Sequence, residues 1–427
     1  MSFADAYFSK QQGIPFHIPQ PPSDALQYTV VIPACNEENI QQVLDSLWHC
    51  MRPAGAVEVI VVVNAPETAT NEIRAVNQNT LLEIATWCKT DHEDRFRVYT
   101  LDATDLPFRH AGVGMARKIG MDEAVWRFNR LGKPGGLIFS LDADCLCDPT
   151  YFTETEKFLN RYPQADGFNV YFEHPVSGHE FAGPIFQGII QYELHLRYYI
   201  QALRFAGFPY AYHTVGSCYS VKASSYAKQG GMNRRKSGED FYFLHKIFPL
   251  GNFFEINTTR VIPSPRPSLR VPFGTGPVVH KYLLNEKPLE TYHPDLFEML
   301  RHFFIVVPLL YKQSPSSAEK ILQPLHPVLK DFLSSADWQK SLAEINSNCS
   351  SPSTYAKRFF RWFDGFRVLK FLNFASREYP RIDVRDAALH LLKLAQVNTA
   401  ADTGVFELLM VYRELEKKEA WVNPLPQ

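Results

Sequence analysis

Hydrophobic residues fall along this chain in two alternating rhythms. Tyr28-Thr-Val-Val-Ile-Pro33 is a short β-branched run that reads as a buried strand. It passes directly into the polar turn Ala34-Cys35-Asn36-Glu37-Glu38-Asn39, after which Ile40, Val43, Leu44 and Leu47 recur at helical spacing. Val57-Glu-Val-Ile-Val-Val-Val63 repeats the strand pattern and also ends in polar residues, Asn64 to Glu67. A helix over residues 71–89 and a third strand, Phe96-Arg-Val-Tyr-Thr-Leu101, follow. Strands alternating with helices predict an α/β fold: a mostly parallel sheet with helices on both faces. Ligands of such sheets bind outside the carboxyl ends of the strands, where these polar turns gather.

The turn signal Lys133-Pro-Gly-Gly136 introduces Leu137-Ile-Phe-Ser-Leu-Asp142-Ala-Asp144, a buried strand ending in two carboxylates one residue apart. In an extended chain positions i and i+2 share a face, and such a pair suits a hard divalent cation that keeps coordination positions open for phosphate oxygens. The alternative is a pair of solvated loop carboxylates. Beyond them Asp148-Pro149 predicts a helix start, with Asp148 as N-cap. Before the strand, Phe108-Arg-His-Ala-Gly112-Val-Gly114-Met-Ala-Arg117-Lys118-Ile-Gly120 runs into a helix over residues 121–130. Its glycines would let the backbone approach a phosphate, and Arg109, Arg117 and Lys118 add positive charge. A glycine-rich helix start with a solvated basic face fits the same residues. No dinucleotide fingerprint is present, because the first βα turn holds Asn and Glu in place of glycines.

Later segments extend the pattern. A strand over residues 167–172 precedes an aromatic helix over residues 184–205, on which Glu193 and Arg197 are spaced to pair on one face while His195 points elsewhere. A strand over residues 214–221 leads through the glycine-rich basic loop Lys228 to Gly238, read as a lid over an anion, to Glu239-Asp240 and a helix over residues 241–248. Asp240, three residues after Ser237, has two readings: part of a helix cap, or a general base at the helix mouth. Pro263-Ser-Pro-Arg266-Pro-Ser-Leu-Arg270 cannot be helical; if extended, it lines Ser264, Arg266, Ser268 and Arg270 along one anion-facing side. From Leu296 onward helical periodicity dominates, interrupted by the polar stretch Asn346 to Ser353, and predicts a separate α-helical region, or a helical appendage packed on the first domain, without assignable chemistry.

Composition changes this picture only at its edges. The chain of 427 residues is long enough for two or three domains, and 45% hydrophobic with 21% charged residues describes a folded protein. A net charge of -1 argues against a nucleic-acid partner. Seven scattered cysteines predict reduced thiols and a cytoplasmic location, with Cys145 and Cys147 as small packing residues. The proline-bearing N-terminus (Pro15, Pro19, Pro21, Pro22) has no signal-peptide pattern. The apolar stretch Phe303 to Leu310 is too short to span a bilayer, which leaves only peripheral membrane contact.

Taken in order, Val-Val-Ile-Pro33-Ala34-Cys-Asn36-Glu37-Glu, the Ala-Arg117-Lys-Ile-Gly helix, Leu-Asp142-Ala-Asp144, and Gly-Gly-Met with Gly-Glu-Asp240 resemble a family 2 glycosyltransferase of the GT-A fold. The resemblance covers residues 28–280. It implies a GT-A domain over 28–290, which leaves an N-terminal extension over 1–27 and, from the helical periodicity that the resemblance does not cover, an α-helical C-terminal region over 291–427. By the same resemblance Pro33, Ala34, Asn36 and Glu37 would contact the nucleoside of a UDP- or GDP-sugar. Asn64 would face the base, where many relatives carry Asp, and Gly112 and Arg117 would border the diphosphate or sugar. Asp142 and Asp144 resemble the Asp-x-Asp motif for Mn²⁺ or Mg²⁺, with Asp142 shared with the ribose or sugar and His280 resembling a third metal ligand. Asp240 matches the base of inverting members, which transfer a sugar to an acceptor hydroxyl, here unidentified. Retaining relatives that make glycosylated small acids share the scaffold. A catalytically weak nucleotide-sugar-binding module with a partner-recruiting helical tail is the alternative from another class. A nucleotidyltransferase ranks last, because its first βα turn should be glycine-rich and basic.

Overall fold

The computed structural model describes residues 2–11, 17–89, 95–235, 238–335 and 337–425. The chain divides into two units, one made of 1–178 with 214–277 and the other of 179–213 with 278–427.

The first unit is built on one sheet. Its strands are β1 (Leu26–Ala34), β2 (Ala56–Pro66), β3 (Phe96–Leu106), β4 (Leu137–Ser140), β5 (Cys145–Cys147), β6 (Gly167–Phe172), β7 (Tyr219–Lys222) and β8 (Phe253–Pro263), arranged β3-β2-β1-β4-β7-β6-β8-β5. The run β3-β2-β1-β4 is parallel throughout, with Val30 opposite Val59 on one side and Phe139 on the other. β7 lies antiparallel to both of its neighbours, and β6 is parallel to β8. β1, β2 and β4 are buried almost end to end, as β-branched runs covered on both faces must be. The predicted α/β class, a mostly parallel sheet flanked by helices, is therefore the observed one.

The chain moves outward from β1 to β2 to β3 and then returns to β4 on the other side of β1. That reversal opens a crevice at the carboxyl ends of β1 and β4. Into it run the Ala34–Glu37 turn and the Asp142–Asp144 turn. Helix Val113–Arg130 begins eight residues earlier than the periodicity predicts, because Gly112 serves as N-cap and the glycines that follow lie inside the helix. The strand expected from residue 214 forms only over Tyr219–Lys222. Asp148 does not cap the next helix, Tyr151–Arg161, whose N-cap is Thr150. Its carboxylate is taken instead by Arg260, at 3.0 and 3.1 Å from Nε.

The second unit is helical and discontinuous in sequence. It takes in the long helix Gly183–Ala206 together with Pro294–Val306, the helices between Pro315 and Ala375, and Val384–Leu394 and Val405–Lys418. Its apolar interior is aromatic: Phe303 packs against Trp338, Phe359 and Phe363. Beside it runs a buried ionic network. Glu193 and Arg197 pair one turn apart at 2.8 Å as their spacing predicts, Arg413 adds bonds of 2.7 and 2.8 Å to Glu193, and Arg197 also binds Glu416. His195 turns away to Thr291 at 2.8 Å. Among the described residues no helix is long and apolar enough to cross a membrane, and all seven cysteines are free. Cys145 and Cys147 are buried, as packing residues should be.

Candidate active site

The first βα turn is pinned by a helix. Asn36 adopts a left-handed backbone, φ 55°, a conformation asparagine tolerates better than most residues. Its N–H donates to Oδ1 of Asn77 at 2.8 Å, while Nδ2 of Asn77 donates to the carbonyl of Asn64 at 3.2 Å. Thr80 donates to the carbonyl of Glu37 at 2.8 Å. Helix Asn71–Trp87 thus ties the end of β1 to the end of β2 through two almost fully buried polar side chains. Neither is among the residues that the local pattern of the sequence singles out. Their signal was present: two polar residues, three apart, on the face of a helix that should be apolar. Pro33, Ala34, Glu37 and Asn64 are buried along these two strand ends, so the residues expected to receive the nucleoside do lie together.

At the end of β4 the two carboxylates follow different partners. Arg117, on helix Val113–Arg130, donates through Nη2 to Asp142 and through Nη1 to Glu239, the first residue of helix Glu239–Ile247. Burial of Arg117 opposes its charge, but Asp142 and Glu239 more than offset this and raise its pKa. Two glycines make the arrangement possible. A Cβ on Gly216 would sit 2.5 Å from Nη2 of Arg117, and one on Gly114 would collide with the carbonyl of Arg235 and crowd Glu239. Asp240 accepts from the N–H of Phe241 at 2.8 Å. Burial first, and then the neighbouring Glu239, push its pKa up to about 7, against the pull of Arg117.

The proline-rich segment after β8 supplies the opposite charge. Nη2 of Arg266 lies 2.7 and 3.0 Å from the two oxygens of Glu37 and 3.4 Å from Oδ2 of Asp144. Arg270 also binds Glu37, and donates to the carbonyls of Cys35 at 2.8 Å and Asn36 at 3.2 Å. The two arginines of the predicted anion-facing stripe therefore meet the first βα turn, while Ser264 and Ser268 accept the N–H groups of Arg266 at 3.2 Å and Arg270 at 3.3 Å. Asp144 is pushed up to about 6 by burial, Asp142 and Glu37, opposed by the two arginines.

Several expectations change. Lys118 does not serve an anion at the helix start: its ammonium is 2.8 Å from Asp122 and 3.0 Å from the hydroxyl of Tyr7. Tyr7 donates to Asp122 at 2.6 Å, which fastens the N-terminal residues onto this helix. Arg117 lies between carboxylates, and Arg109 donates to its neighbour His110. Gly112 is the N-cap, at φ 155°. In the basic loop Arg235 stacks over Tyr242, 3.8 Å from the ring centre, whereas Lys236 and the expected capping residue Ser237 lie outside the described residues. Pro15 of the N-terminal stretch also lies outside them. His280 sits on helix Thr275–Asn285, in the part that belongs to the second unit.

Among the described residues no group of three or more His, Cys, Asp or Glu is placed to hold a metal ion. The charges still fit one. Glu37, Asp142, Asp144, Glu239 and Asp240 are five carboxylates around three guanidiniums, those of Arg117, Arg266 and Arg270. Asp142 and Asp144 are oxygen donors of the kind a hard cation takes, two at a time, with phosphate and water completing its shell.

No family model matches the chain, and no curated protein sequence does. Among solved structures the chain is similar to residues 1–349 of S. aureus TarS in complex with UDP-GlcNAc, at 13% identity over 92% of both chains and a TM-score of 0.40. It is similar to the same fragment with UDP at 13% identity, over 85% of this chain and 95% of that one, again at 0.40. At such scores the likeness carries no weight for the chemistry, which rests on the residues themselves.

Proposed function

We propose that this protein is a nucleotide-sugar glycosyltransferase of GT-A type, using a divalent cation and transferring a sugar with inversion to an acceptor hydroxyl. The observation that carries the reading is the bridge from Asp142 through Arg117 to Glu239. It brings the Asp-x-Asp turn and the helix that bears Asp240 into one site, at the crevice where a parallel sheet of this order takes ligands.

In this reading the nucleoside lies along Pro33, Ala34, Asn36, Glu37 and Asn64, with the turn held rigid by Asn77. Asp142 and Asp144 are the residues that would hold Mn²⁺ or Mg²⁺, which when bound supplies counter-charge for the departing diphosphate. Arg117 holds Asp142 in place and faces the same developing charge. Asp240 takes the proton of the acceptor hydroxyl as the new glycosidic bond forms. A carboxylate near pH 7 is matched to that task, because it is ionised in use yet basic enough to accept the proton.

A panel of UDP- and GDP-sugars, screened by thermal shift with and without Mn²⁺ and then assayed for transfer or donor hydrolysis, tests the proposal. Stabilisation by a donor together with turnover supports it. Donor binding with no turnover across a broad acceptor panel favours the nucleotide-sugar-binding module instead. Stabilisation by no nucleotide-sugar at all overturns it.

A further inference from the structure

The segment that carries Arg266 and Arg270 has no regular secondary structure: Pro263, Pro265 and Pro267 deny it a helix, and it follows the last residue of β8 across the mouth of the first βα turn. It is held there by charge. One nitrogen of Arg266 serves three carboxylate oxygens, two of Glu37 and one of Asp144, so the guanidinium acts as a single cation placed between the two side chains. The three bonds are unequal: at 2.7 and 3.0 Å Glu37 is firmly engaged, while Asp144 at 3.4 Å is at the edge of hydrogen bonding. Arg270 fastens the same segment to Glu37 and to the carbonyls of Cys35 and Asn36.

We infer that Arg266 is a built-in counter-cation that competes with a divalent metal ion for Asp144, so that ion and guanidinium exchange at one carboxylate. The inference rests on the transferase reading for its purpose, though not for its physics. Glu37 and Asp144 are balanced in charge by Arg266 and Arg270, and a divalent cation arriving beside two guanidiniums meets repulsion that falls off only slowly at this burial. The diphosphate of a nucleotide-sugar removes the obstacle. Its oxygens offer the forked geometry guanidinium prefers, so they draw Arg266 and Arg270 off the carboxylates and leave Asp144 open to the cation. Donor therefore precedes metal: Arg266 passes from Asp144 to the diphosphate, and the cation takes its place at that carboxylate.

The test needs no substrate. Mn²⁺ is titrated into the full chain without nucleotide, and free Mn²⁺ is read by electron paramagnetic resonance for the wild type, Arg266→Gln and Arg266→Lys. Arg266 is partly exposed on an irregular segment, and thermal unfolding of the same samples reports their folding. Arg266→Gln is expected to bind Mn²⁺ about tenfold more tightly than the wild type, since it removes one close positive charge, and Arg266→Lys to stay near the wild type. An Arg266→Gln variant that folds and binds Mn²⁺ no more tightly overturns the inference. So does Arg266→Lys binding as tightly as Arg266→Gln, because charge would then not be the obstacle. Failure of the transferase reading shows elsewhere, as absent donor turnover, and leaves this titration unaffected.

Discussion

Arg117 and Glu239 stand 122 residues apart in the chain, yet the guanidinium of one is bonded to the carboxylate of the other inside the protein, one residue from Asp240. The contact fixes the start of helix Glu239–Ile247 against the turn that carries Asp142. It also separates the two neighbouring carboxylates. Glu239 is held in the ion pair, whereas among the described residues Asp240 accepts the backbone N–H of Phe241.

Asp240→Asn should therefore lower turnover by about a hundredfold or more while leaving donor binding in place. Steady-state kinetics alongside calorimetry with the donor separates the two effects. A variant with near wild-type turnover removes Asp240 from the mechanism.

The rate should depend on pH through the same residue. As the proposed base Asp240 would work ionised, and burial together with Glu239 holds it near 7, so turnover should rise as pH increases through about 7 and level above it. Glu239→Gln deletes the adjacent negative charge and should move the inflection toward the ordinary carboxylate range. A pH profile of kcat for both proteins checks the direction, and an unmoved inflection contradicts it.

Gly216→Ala puts a methyl group where the Arg117 guanidinium lies. The arginine must withdraw from Asp142 or the turn that carries Gly216 must shift, at a cost of about 1–3 kcal/mol. Loss of activity with a small fall in unfolding temperature is the expected result. An alanine variant as active and stable as the wild type would mean that the side chain has room to move.

Asn77→Ala removes one acceptor and one donor from the turn that carries Asn36 and the strand end that carries Asn64. Loss of one buried and one half-buried bond to the backbone should cost about 1–3 kcal/mol, and donor affinity should fall more than kcat. Donor titration by calorimetry measures the first, and saturation kinetics the second.

In the helical unit, Arg413→Ala takes from Glu193 a guanidinium that binds both its oxygens while Arg197 stays paired with it, and should destabilise by about 1–3 kcal/mol, read by denaturant unfolding. Acid should act on the same network. Glu416 is held down at about 2 by Arg197 and His213 despite its burial, so its stabilisation is complete above the ordinary value near 4.5 and is lost as pH falls toward 2. Glu416→Gln should flatten that acid limb.

By itself the sequence determined the strands β1 to β4 and β6, their polar ends and the Asp142-Ala-Asp144 turn, because each is written in a few neighbouring residues: β-branched runs, turn formers, a carboxylate pair with a fixed spacing; β5 and β8 carry no such local signal. It also determined the Glu193–Arg197 pair, since one helical turn brings those side chains together. What only the tertiary structure decided is which charge meets which. Lys118 looked like part of an anion site and is spent on Asp122; Asp148 looked like a cap and is spent on Arg260. Arg266 reaches Glu37 across 229 residues, and Arg413 reaches Glu193 across 220. A buried charge takes whatever partner the packing brings within reach, to offset the loss of water, and no local pattern in the chain names that partner.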